Sequence, residues 1–199
     1  MSERVKDQAT ARVGKAESEP LVPVWGLAIA GVVIVVLIVT IALNWLWGLD
    51  FFHVVGGALW FSIDLFMGFV IGPLLARLDV PARMAVTRRL MPKMLIIMPT
   101  VVISTLTAAW QLAQLGGWFN VPYPQHWWLV AAFIVVGLMA IIAYGVLEPA
   151  NILVLLELRK PEPNGIIIGR TMRRFIYGAA VIGVLQVAVI IIMTRMATW

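Results

Sequence analysis

Cysteine is absent from the 199 residues, histidine occurs twice, and only 13% of side chains are charged. The missing thiols exclude disulfides, thiolate-bound zinc, iron–sulfur clusters and cysteine nucleophiles. Soluble domains carry about 25% charged residues, so this charge content, set against 62% hydrophobic residues, excludes an ordinary soluble domain. The sequence also lacks a P-loop, a dinucleotide fingerprint, a zinc-protease helix, a serine triad and any internal repeat strong enough to define inverted halves. What survives these exclusions is redox or proton chemistry, transport, or an accessory role inside a membrane.

The apolar segments predict an all-α integral membrane bundle of five transmembrane helices, with spans at about 22–46, 52–75, 93–115, 127–148 and 175–196. Residues 1–20 mix acidic, basic and hydroxyl side chains and are expected to form a mobile cytoplasmic tail. The net charge of +5 is concentrated. Arg77, Arg83, Arg88, Arg89 and Lys93 crowd one connection, and Arg159, Lys160, Arg170, Arg173 and Arg174 another. By the positive-inside rule these connections and the N-terminus face the cytoplasm and the C-terminus lies outside, in a cell (inner or plasma) membrane. The basic residues therefore read as topology signals and not as nucleic-acid ligands. A short interfacial helix is expected around residues 83–90. Small residues and aromatics on several faces suit a larger membrane complex or a homo-oligomer as partner.

Asp64 sits in the middle of the second span, where an acid is costly and ordinarily faces the protein interior. It reads either as a proton-relay group or as a packing contact, with Gln111 and Ser104 as partners on the third span. That span carries a polar stripe of Lys93, Thr100, Ser104, Thr107, Gln111 and Gln114, expected to look into the bundle, a cofactor or a hydrated cavity. On the fourth span Tyr144 and Glu148 share a face, and Asn151 joins them if the helix continues past Pro149. Lys93 and Glu148 are expected near the inner face, by snorkelling or as an interfacial pair.

His53 and His126 open the second and fourth spans, at similar depth under this topology. Two neutral imidazoles across a bundle suit the axial positions of haem b, and the competing reading is an interfacial histidine bonded to a loop carbonyl. Asp50, one turn before His53, extends the set to a metal site of Asp50, His53 and His126. Met84, Met91, Met94 and Met98 cluster at the inner end of the third span, as adaptable core filler or as thioethers for copper as Cu(I).

One stretch carries a family resemblance. His53, Gly56, Gly57 and Trp60 form H-x-x-G-G-x-x-W, and after the basic connection Arg88 to Met94 read R-R-L-M-P-K-M, with Pro99 following. Over residues 50–115 this resembles the CopD-like and HemJ-like small membrane proteins. The resemblance implies four or five helices and links to haem b, protoporphyrinogen oxidation or copper handling. It makes His53 the first haem-ligand candidate and sets Lys93 where HemJ-like proteins carry a basic residue. The function expected is a haem b-binding redox or electron-transfer component. The alternatives are a non-enzymatic subunit of a larger membrane complex, and a proton-coupled or copper transporter.

Overall fold

The computed structural model describes residues 24–160 and 162–198, and these contain helices and connections but no strand. The expected tail at 1–20 and the start of the first span lie outside the described residues. Five helices long and apolar enough to cross a membrane follow one another: α1 (Val24–Ala42), α2 (Leu46–Arg77), α3 (Val80–Leu115), α4 (His126–Leu158) and α5 (Gly165–Ala197). The chain is thus a multi-pass membrane bundle. One 3₁₀ turn, Trp118–Asn120, stands in the α3–α4 connection.

Three helices overrun their predicted limits at the basic end, because their caps lie further out than the apolar runs reach. At α3 the Asp79 side chain accepts from Ala82 N at 2.9 Å and Pro81 occupies the first turn. The helix therefore starts at Val80 and absorbs the interfacial helix expected around 83–90. At α5 the Asn164 side chain accepts from Ile166 N and Ile167 N, so the helix starts at Gly165 and carries Arg170, Arg173 and Arg174 on its own first turns. The α4 helix runs through Pro149 to Leu158. With 36 residues α3 extends about 54 Å, against about 30 Å of hydrocarbon, so its basic first turns project beyond the apolar layer.

Proline shapes α2 and α4 in the same way. Pro73 and Pro149 have no N–H, and their rings crowd the carbonyl four residues back. The preceding segments, Phe66–Ile71 and Ala143–Leu147, widen to π-helix, closed by Gly72 N to Met67 O and by Glu148 N to Ala143 O. α3 stays α-helical through Pro92 and Pro99. Arg83 closes the α2 end: its Nε donates to Leu75 O at 2.8 Å, and its terminal nitrogen to Ala76 O and Leu78 O at 3.2 and 3.0 Å.

α2 packs on α3 and α5, α4 packs along α5, and the C-terminal part of α4 closes the ring against α3. The core between them includes Met67, Met91, Val102, Met139, Leu147 and Ile182. Toward the other end α3 and α4 separate, and Trp110, Phe119 and Phe133 fill the gap with ring centroids 5.3 to 6.0 Å apart. That end also carries Trp45, Trp47, Tyr123 and Trp127, as an interfacial belt requires. α1 stands outside the ring, against α2 and α3, and Leu37 and Thr40 are its buried residues.

Candidate functional site

Close helix crossings set the depth of the polar groups. A Cβ on Gly68 of α2 would lie 3.7 Å from Ala180 of α5, and Gly178 of α5 abuts Leu147 and Val146 of α4. Counting along these antiparallel pairs, Asp64 is level with the residues near 184 and Glu148 with those near 177. At 1.5 Å per residue, Asp64 therefore lies about 10 Å nearer the aromatic end than Glu148.

Both acids line one internal cavity of about 20 Å³, with Trp60, Tyr144 and Asn151 as the other polar side chains of its wall. Met67, Met94, Met98 and Pro99 supply much of the apolar remainder. The volume suits about one water molecule. Among the described residues no lysine, arginine or histidine lines it. The two π-turns end here as well, since Met67 belongs to one and Ala143, Tyr144 and Leu147 to the other. Widened helix next to a polar group is a recurring mark of functional positions.

Asp64 is 2% exposed, and Gln186 Nε2 of α5 donates to its Oδ2 at a long 3.5 Å. Several polar atoms around the cavity have no partner among the described residues: Trp60 Nε1, Asn151 Oδ1 and, behind Asp64, Gln186 Oε1. Orphaned polar atoms in a dry interior are expensive, so this group is built to hold something polar. An indole donor and two amide acceptors beside two carboxyl groups match water and protons better than a bare metal ion, which an N–H would oppose.

The predicted site residues divide between this cavity and other places. Glu148 is half-buried in the cavity wall, whereas Lys93 is exposed on α3 and pairs with no acid among the described residues. The partner of Asp64 is Gln186, not Gln111 or Ser104. Gln111 Nε2 instead reaches Asn44 Oδ1 of the α1–α2 turn at 3.5 Å. The α3 stripe turns away from the interior: Thr100 and Ser104 face a groove beside α1, and Thr107 and Gln114 are exposed. The interior face of α3 is apolar, because Met94, Met98 and Val102 stand there. Gln186 was missed although its signal was in the sequence, as a lone amide within an otherwise apolar stretch of the fifth span.

The histidines occupy separate interfaces. His53 Nδ1 lies 3.4 Å from Thr105 O, between α2 and α3. His126 packs on Tyr123, ring centroids 5.1 Å apart, at the α3–α4 connection. Asp50 is exposed, and among the described residues no three His, Asp or Glu side chains stand close enough to hold a metal ion, so Asp50, His53 and His126 do not form one. Of the clustered methionines, Met91 is fully buried in the core and Met84 packs at its edge, while Met94 and Met98 reach the cavity.

No protein-family model, no curated protein and no solved structure matches this chain.

Proposed function

We propose that the bundle relays protons across the middle of the membrane, with Asp64 and Glu148 as the exchanging groups. The observation that carries this reading is the placing of two carboxyl groups from different helices, offset in depth, on one water-sized cavity without a cationic side chain. A proton enters on a Glu148 carboxylate oxygen from the basic end. It crosses the cavity on one water and arrives at an Asp64 oxygen, and the water regains a proton as it gives one up. Gln186 holds Asp64 from the α5 side.

Purified protein in liposomes with a trapped pH-sensitive dye tests the proposal under an imposed proton gradient. Wild type is expected to dissipate the gradient well above empty liposomes. Asp64→Asn and Glu148→Gln, which keep shape and lose the exchangeable proton, are each expected to lower the rate at least about tenfold, the low end of what a positioned acid–base group contributes. Wild-type rates in both variants, or no flux from folded wild type, would remove the proposal.

A further inference from the structure

A second cavity lies on the opposite side of α3. α1 meets the bundle through its outer half, at Leu37 and Thr40, and its inner half stands away, so that Gly26, Ile29, Ala30 and Val33 form one wall of a groove of about 290 Å³. Phe51, Phe52, Val55 and Leu59 of α2 and Ile96 and Ile97 of α3 supply the rest of the apolar lining, and one side is open to lipid. The size falls at the lower end of small-molecule pockets, which are lined mostly by apolar and aromatic side chains with few polar groups.

Two hydroxyls complete the wall. Thr100 Oγ1 is committed to Ile96 O at 2.7 Å. Ser104 is 4% exposed, and its Oγ has no partner among the described residues. Ser104 lies about 16 Å along α3 from Lys93 and about 15 Å from Gln114, which puts it at mid-bilayer depth. At that depth there is no bulk water, and phospholipid ester oxygens are confined to the interface. A buried donor there is satisfied by an acceptor that travels in the apolar layer. Among the described residues no charged side chain lines the groove, so its complement is neutral.

We infer that the groove is a lateral binding site for a membrane-dissolved carbonyl compound with a ring-sized head, the chemistry of a quinone. Its carbonyl accepts from the Ser104 hydroxyl, its ring lies against Phe51 and Phe52, and its tail leaves through the lipid-facing side. An acyl chain fills the apolar walls but leaves the hydroxyl unpaired.

Full-length protein in phosphatidylcholine nanodiscs, equilibrated with decylbenzoquinone or with decylbenzene, separates these occupants. Retained probe is measured against empty nanodiscs. The site predicts about one equivalent of decylbenzoquinone on wild type, about tenfold weaker retention in Ser104→Ala, and recovery in Ser104→Thr, as the loss and return of one hydrogen bond requires. Ala30→Phe, which fills the groove from α1, abolishes retention of either probe. Unchanged unfolding midpoints establish that each variant is folded. Equal retention of decylbenzene and decylbenzoquinone with no effect of Ser104→Ala overturns the inference in favour of an acyl chain, and absence of retention by wild type overturns it outright.

Discussion

Gly56 shows how much a single position can fix. A Cβ there would run into Thr105 Oγ1, and that hydroxyl is not free to turn, because it donates to Val101 O at 2.8 Å. Thr105 also presents the carbonyl that His53 approaches. Gly56→Ala is therefore expected to force α2 and α3 apart and to cost about 1–3 kcal/mol, the usual penalty for overpacking, read as a lowered unfolding midpoint in detergent. Gly31 is the internal control, since a Cβ there meets nothing within 4 Å; Gly31→Ala is expected to leave the midpoint unchanged or slightly raised. At this scale the sequence was informative for Asp64, Glu148 and Asn151, whose chemistry is unusual inside an apolar run. It was uninformative about the neighbours of Gln111 and Ser104, because a polar stripe on one helix does not say which neighbour it meets. Helical spacing is a property of one segment, and contact is a property of two.

The elements that bound the cavity differ in stiffness. α2 and α4 each pass through a π-turn into a proline, α3 carries two prolines without widening, and α5 has none. Pro73→Ala and Pro149→Ala restore an N–H to each wall and remove the ring that crowds the turn before it. They are expected to let residues 66–71 and 143–147 tighten toward α-helix, seen as slower amide exchange in those segments, and to stabilise the bundle by up to about 3 kcal/mol, the cost of an interior proline. Unaltered exchange in both segments would show that packing against α5, and not proline, holds the turns open. The apolar runs located all five helices but not their ends. The true ends at Val80, Leu158 and Gly165 lie in polar sequence, where caps and an extended α4 decide and hydropathy is silent.

On the scale of the whole molecule, the charge distribution and the aromatic girdle mark the two ends. Reporter fusions at the termini are expected to place the N-terminus with the basic connections in the cytoplasm and the C-terminus on the far side. The opposite signal from either reporter refutes that orientation. The two cavities lie back to back on α3, one enclosed and acidic, the other open to lipid and apolar. Composition announced neither, since each is formed by side chains from several helices.

The hydrogen bond between Gln186 and Asp64 joins residues 122 positions apart. During synthesis at about 5–20 residues per second, the acid of α2 reaches the membrane some 6–24 s before the amide that receives it is made. For that interval the first three or four helices must keep Asp64 without its partner, shielded by one another or by the insertion machinery. α5 thus supplies the contact that α2 awaits, and a chain stopped before α5 would leave the Asp64 carboxyl without its amide.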